Sequence, residues 1–204
     1  MEGEGFNPDL RRPFPDAVYT VDNRFIYSSD EHGRVVRAEG SLDLTASDDR
    51  RRGPDQTRIG HHGQTEYAGI NQQVITEFEN EYGRPPTNTE VYLYQAVTFD
   101  GGHLFATEFN GPGEAINMVP MLTSLNRDLG GDNTPLDNWR RLEGLWGEIL
   151  GQDPPPEVNV RIELAYDPNT PASTTPTRIT AAYMVQGRHV GQVEYRNMPP
   201  RMEE

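Results

Sequence analysis

The chain predicts an α+β fold, a central antiparallel sheet with a helix packed across it. Three observations predict it. The run VYTVDNRFIYSSDEHGRVVRAEGSLDLT alternates apolar and polar positions between DN and HG breaks, and the C-terminal third repeats that alternation in three more runs. Between them Leu136, Trp139, Leu142, Leu145, Trp146 and Ile149 recur at helical spacing. A period of two on either side of a period of 3.6 is the pattern of a half-buried sheet and an amphipathic helix sharing one core.

Each element follows from its local pattern. Residues 1–16 and 198–204 are rich in Gly, Pro and charge and read as a flexible N-terminal arm and a tail, which leaves one domain over 17–197. Alternation places short strands at about 17–21, 24–28, 33–38 and 41–45. SDDRRRGPDQTRIGHHGQT is polar, glycine-bearing and without period, so it reads as a loop leading toward the site, with arginines that can reach a substrate. In AGINQQVITEFENEYGRPP, Ile70, Val74, Ile75 and Phe78 mark a helix that Gly83, Pro85 and Pro86 stop. EVYLYQAVTFD reads as a strand, GHLFATEF as its continuation through a hairpin, and FNGPGEA as a turn presenting Asn117 just before a short helix. Thr134 or Asp137 caps the tryptophan-bearing helix over 136–150, and Pro154–Pro156 ends it. Closing strands fall at about 157–166, 178–186 and 189–196, joined by PNTPASTTPT and the QGRH turn.

Composition narrows the functional classes. The 204 residues suffice for one core but not for two ordinary domains, and 20 Gly with 17 Pro imply short elements and much loop. No apolar run is long enough to span a membrane, and MEGEGFNPDLRRPFPD has no apolar signal segment. The absence of cysteine removes disulfides, thiolate ligands and cysteine nucleophiles. A net charge of −14 argues against a broad basic footprint for nucleic acid. The charge is uneven, however: Arg34, Arg37, Arg50, Arg51, Arg52 and Arg58 fall within 25 residues, and such a cluster can make a local groove positive. All 18 basic residues are arginine, the side chain suited to planar contacts with phosphate.

The chemistry concentrates in TFDGGHLFATEFNGPGEAINMVPMLTSLNRDLGGDNTPLDNWRRLE, residues 98–143. His103 can accept a proton, Asn117 offers a hard oxygen to a divalent cation, and Asp100, Asn126 and Glu143 can orient the waters that complete its shell. Other histidines carry less. His61 and His62 lack a third spaced ligand for zinc and read as polar loop, and His32 and His189 sit in turns beside glycine. Trp139 and Trp146, seven apart on one helix, read as core.

DGGHLFA, FNGPGEAINMVP, SLN and WRRLE together resemble the DNA/RNA non-specific endonucleases of the ββα-metal (His-Me finger) superfamily, and most closely the branch found as toxin domains of bacterial secreted proteins of the type VII-like polymorphic kind. The resemblance extends more weakly over most of 17–197 and implies a ββα-metal finger within about 91–150, with the helix read in AGINQQVITEFENEYGRPP as an insertion. It implies hydrolysis of phosphodiester bonds in DNA, and in RNA as a further substrate, with Mg²⁺ or Mn²⁺ as cofactor. His103 would activate the attacking water, Asn117 would bind the metal, and Asp100 and Glu143 would hold metal-bound waters. Asn126 would bond the turn or a substrate phosphate. An arginine from upstream, Arg58, Arg52 or Arg37, would stabilise the charge on phosphorus. Better-known secreted nucleases of the superfamily read DRGH where this chain has Gly101, so one familiar contact to the transition state is missing. The resemblance further implies a secreted effector, delivered into target cells without an N-terminal signal peptide in this chain, and a cognate immunity protein. A non-catalytic binding module that kept the fold, or a salt-adapted scavenging nuclease, are the competing readings of the acidic surface.

Overall fold

The computed structural model describes residues 8–44, 54–87, 90, 98–128 and 138–199. In chain order the strands are β1 (Val18–Val21), β2 (Phe25–Ser29), β3 (Val35–Leu42), β4 (Phe99–His103), β5 (Met118–Leu122), β6 (Val158–Ala165), β7 (Arg178–Val185) and β8 (Arg188–Arg196). The helices are α1 (Pro54–Glu66), α2 (Ala68–Tyr82), α3 (Thr123–Asn126) and α4 (Trp139–Leu150). The mixed α+β architecture expected from the patterning is present. The alternating segments join into one six-stranded antiparallel sheet, ordered β1-β2-β3-β6-β7-β8, and β4 pairs with β5 in a separate two-stranded hairpin.

Alternation decides which face of the large sheet is covered. Phe25, Tyr27, Ala38, Leu42, Val160, Ile162, Ile179, Ala181 and Tyr195 are buried beneath Phe105, Phe109, Trp139, Leu142 and Trp146. The rings meet at angles rather than in flat stacks, as aromatic quadrupoles favour: Trp139 and Trp146 lie 6.0 Å apart at 87°, and Trp146 meets Tyr183 at 6.2 Å. Both tryptophans are fully buried, as their spacing predicts. The two runs predicted at 33–38 and 41–45 are one strand. Gly40, which interrupts the apolar pattern, stays in the ladder opposite Phe25 and Val160, because a Cβ there would strike the Phe25 ring.

Four other expectations are corrected. Residues 54–65, read as loop, form α1: Pro54 stands at the first helical position, which needs no N–H donor, and Asp55 follows in the first turn. The glycines that suggested a loop are where the helix touches the hairpin. A Cβ on Gly60 would lie 2.9 Å from the Phe99 carbonyl oxygen and the Gly101 nitrogen, and one on Gly63 would enter the Phe99 ring. The hairpin partner of β4 is β5 rather than the GHLFATEF segment, since Leu104, Phe105 and Phe109 leave the strand direction to fill the core between hairpin and sheet. Asn117 accordingly precedes a strand instead of a short helix. The cap of α4 is Asn138, whose side chain accepts the Arg141 N–H at 2.9 Å, while Thr134, Asp137 and Leu136 lie outside the described residues.

Part of the expected arm is docked. Pro8–Arg11 make a turn of 3-10 helix with Leu10 buried, Arg11 pairs with Asp55 at 3.1 Å, and the Phe14 carbonyl accepts the Ser29 hydroxyl at 2.6 Å. The helix predicted around Ile70 to Phe78 is α2, closed by Gly83 at φ 68°. The strand expected over 90–97 falls outside the described residues except at Glu90.

The α1–β4 contact yields a stability test. A Cβ on Gly101 would overlap the Gln56 carbonyl, so Gly101→Ala is expected to lower the unfolding free energy by roughly 3 kcal/mol. Gly144→Ala, at an exposed helical position with open space around it, is expected to raise it by about 1 kcal/mol. Urea denaturation reads both, and an unchanged midpoint for Gly101→Ala would show that α1 does not rest on β4.

Candidate active site

His103 closes β4 opposite Met118 and is half-buried. Side chains alternate along a strand, so His103 shares the α1 face of the hairpin with Gly101, and Asp100 projects to the other face, toward α3. Position 101 has no room for a side chain because the α1 backbone occupies it. The charge-stabilising arginine that other nucleases carry at this place would collide with Gln56 here.

Asn117 has a different role from the metal ligand expected of it. It is fully buried, and its amide is fully used: Oδ1 accepts the Phe105 N–H and the Tyr27 hydroxyl, each at 2.9 Å, and Nδ2 donates to the Phe105 and Pro112 carbonyls, each at 2.8 Å. An oxygen already accepting two hydrogen bonds, with no exposed surface, has no lone pair to offer a cation. Asn117 is instead a strut that fixes the backbone two residues beyond His103 and ties it to β2 of the large sheet.

A second asparagine has the properties that Asn117 lacks. α3 is anchored to the start of the hairpin by Thr123 N–H to Thr98 O at 2.8 Å, and it ends with Asn126 half-exposed beside Asp100. Asn126 Nδ2 donates to Asp100 Oδ2 at 3.0 Å. The next residue, Arg127, grips the same carboxylate with Nε at 2.8 Å and Nη2 at 2.6 Å. Sequence reading had no reason to single out Arg127, which meets a partner 27 positions away. Because a carboxylate only accepts, the amide must turn its NH₂ to Asp100, and Oδ1 then accepts no hydrogen bond among the described residues. A hard, half-exposed carbonyl oxygen beside a carboxylate is a donor set that Mg²⁺ or Mn²⁺ accepts when waters fill the remaining positions. Among the described residues no three His, Asp or Glu side chains converge as a metal cage.

Glu143 lies on the buried side of α4. Burial pushes its carboxyl up to about 7, against the opposing pull of Arg140, whose Nη1 lies 3.3 Å away. Arg140 also donates to Glu108 at 2.6 Å, which connects α4 to the turn following His103. Arg58 is on α1, with Nε and Nη2 each 3.3 Å from Asp55 Oδ1, and Asp55 is itself buried and shared with Arg11. The neighbouring Ile59 packs on Ala115 and Met118, so this arginine pair borders the His103 end of the hairpin. His62, on the same helix, is held below the ordinary histidine range by burial and then by the Arg58 charge.

Arg37 is not part of the site. It projects from the open face of the large sheet and pairs with Glu39 at 2.7 Å, so the sheet separates it from the hairpin. Arg52 lies outside the described residues. Of the arginine cluster, Arg34, Arg37 and Arg58 each face a carboxylate, and Arg50, Arg51 and Arg52 lie outside the described residues.

The profile of the family described as DNA/RNA non-specific endonuclease matches residues 67–187, a stretch that includes the hairpin, α3 and α4. The chain belongs to this family. It is therefore an endonuclease, a hydrolase of nucleic acid. Among solved structures it is similar to NucA from Streptococcus agalactiae with magnesium bound, at a TM-score of 0.56 and 14% identity over 93% of this chain and 83% of that one. It is also similar to the Sda1 nuclease with zinc bound, at a TM-score of 0.54 and 14% identity over 92% of this chain and 85% of that one. The metal-free form of NucA matches at a TM-score of 0.51 and 15% identity, covering 92% of this chain and 82% of that one. At this identity the likeness speaks for the fold. No helix among the described residues is long and apolar enough to cross a membrane.

Two outcomes separate strut from ligand and buried acid from solvated acid. Asn117→Ala strands four buried polar groups and is expected to cost roughly 3 kcal/mol or more of stability, with Mn²⁺ binding by the folded fraction unchanged. Chemical denaturation alongside a Mn²⁺ titration checks both halves. For Glu143 the fold favours the protonated form, so its contribution is intact below pH 4.5 and is lost as pH rises through about 7. Glu143→Gln should thus match the wild type near pH 4 and exceed it at pH 8 by on the order of 3 kcal/mol, read from unfolding at the two pH values.

Proposed function

We propose that this endonuclease is divalent-cation dependent, cuts DNA and also RNA with little sequence preference, and takes its cation at Asn126 rather than Asn117. The observation that carries this reading is the Asp100–Asn126 pair, an open amide oxygen held by a carboxylate on β4; because His103 lies on the opposite face, a substrate phosphate would have to reach both across the end of the hairpin where β4 stops. Asn126 Oδ1 would hold the cation, with water in its other positions. A bound divalent cation supplies positive charge where negative charge builds on the phosphate and on the departing 3′-oxygen.

The chain's own residues do the rest. His103 takes the proton from the water that attacks phosphorus. Asp100 fixes the Asn126 amide and is itself kept in plane by Arg127. Arg58, on the α1 face that His103 shares, is the described arginine placed to offset charge on the phosphoryl oxygens. Glu143, buried at the back of the site, steadies Arg140 and the turn after His103. The overall acidity does not favour tight backbone binding, so substrate contact rests on a small local set of arginines.

Support for a role as the toxin domain of a secreted antibacterial effector, with a cognate immunity protein, comes from the wording DGGHLFA and FNGPGEAINMVP. A neighbouring reading frame that fails to relieve toxicity on co-expression would remove that role without touching the nuclease.

Plasmid cleavage by wild type, His103→Ala and Asn126→Ala, with Mg²⁺, Mn²⁺ or EDTA, tests the chemistry. Cleavage is expected to vanish in EDTA, to fall at least about a hundredfold in His103→Ala, and to require more cation in Asn126→Ala. Wild-type turnover in EDTA, or full activity of His103→Ala, would overturn the reading.

A further inference from the structure

We propose that Arg127 is a positioning residue that sets the cation site through Asp100 and Asn126; this rests on the cation seat assigned above. Arg127 immediately follows Asn126, and its own N–H closes α3 on Thr123 O at 3.0 Å, so its Cα is fixed while its side chain turns back over the hairpin. The guanidinium meets Asp100 fork to fork: Nε bonds Oδ2 at 2.8 Å and Nη2 bonds Oδ1 at 2.6 Å. Two parallel bonds fix the plane of a carboxylate, which one bond cannot do. With that plane fixed, Oδ2 receives Asn126 Nδ2 at 3.0 Å in a single orientation, and the opposite atom of the amide, Oδ1, is the one presented.

The same geometry favours the amide over the carboxylate as the group that takes the cation. A carboxylate is a stronger ligand for a hard cation than a neutral amide, and Asp100 stands next to Asn126. Arg127 takes one lone pair of each Asp100 oxygen and Asn126 a second one on Oδ2, so the carboxylate is held by its neighbours while the amide Oδ1 is presented. A cation held by one neutral protein oxygen keeps more of its charge for the phosphate, at the cost of affinity, and a seat with so few protein atoms depends on how firmly that oxygen is aimed.

The pair is unsuited to a role in holding the fold. Arg127 is 59% exposed, and an ion pair in that setting contributes little to stability. Arg127→Met therefore removes the aim of Asn126 while leaving the domain folded. Arg127→Lys returns the charge without the fork.

The experiment follows the Asn126 side-chain NH₂ resonances in ¹⁵N-labelled full chain, together with the Mn²⁺ concentration for half-maximal plasmid cleavage. In Arg127→Met the two NH₂ protons are expected to move toward free-amide positions, and the Mn²⁺ requirement to rise about tenfold. The rate at saturating Mn²⁺ and the KM for DNA should stay within about threefold of wild type. Arg127→Lys should resemble Arg127→Met more than wild type. Asn126 resonances that ignore Arg127→Met would overturn the proposal whatever cleavage does. So would a raised KM for DNA at an unchanged Mn²⁺ requirement, which would make Arg127 a phosphate contact. Failure of the cation seat itself reads out separately, as wild-type Asn126 resonances that added Mn²⁺ does not broaden.

Discussion

The side-chain amide of Asn117 is the interaction on which the architecture turns. The site hairpin and the six-stranded sheet are separate hydrogen-bonded units, and among the described residues no backbone ladder joins them. Asn117 makes four hydrogen bonds: three hold Phe105 and Pro112 beside the hairpin, and one crosses the core to Tyr27 of β2. Tyr27 is itself fully buried and meets Phe105 edge-on at 6.2 Å, so the polar link is enclosed by the aromatic core it helps to align. A buried network of this kind is costly when incomplete and rigid when complete. Here it is complete, and it lies just beyond His103.

The second constraint is the close approach of α1 to β4. Helix and strand touch through backbone at Gly60 and Gly101, which leaves no volume for a side chain between them. The consequence is chemical as well as steric, since a face of the hairpin that elsewhere carries an arginine is closed. Cationic groups must then come from the helix itself or from around it, as Arg11 and Arg58 do over the buried Asp55. On the far side of the hairpin Arg127 and Asp100 make the equivalent pairing, and α4 adds Arg140 between Glu108 and Glu143. An acidic chain thus surrounds its site with arginines whose positions are set by carboxylates. That arrangement trades attraction for nucleic acid against precision of placement.

Much of the fold was legible because its periodicities are strong. Alternation over 18–42 and 158–196 required a half-covered sheet, and the helical repeat from Trp139 to Leu150 required a helix to cover it. Of the candidate site residues read from the sequence, His103, Asp100, Asn126 and Glu143 stand in or beside the hairpin and its helices. Their division of labour was less legible. Asn117 and Asn126 are the same side chain nine positions apart in one motif, and nothing local tells a saturated amide from an open one. Arg37 was drawn in by its place in an arginine-rich stretch, yet strand alternation turns it to the opposite face of the sheet. α1 was read as loop because glycine usually breaks helices, whereas here glycine is what lets a helix lie on a strand.

By itself the sequence determined the class of fold, the family and the short segment that gathers the candidate site residues, because these depend on patterns within a few residues of one another. Only the tertiary structure decided which asparagine is a strut and which is open, that Gly101 is a contact point, and that Arg127 pairs with Asp100. Those are questions of burial and of partners far away in the chain: Tyr27 is 90 positions from Asn117, and Asp100 is 27 from Arg127. A hydrogen-bonding group has a fixed capacity, and only the folded chain shows how much of it is already used.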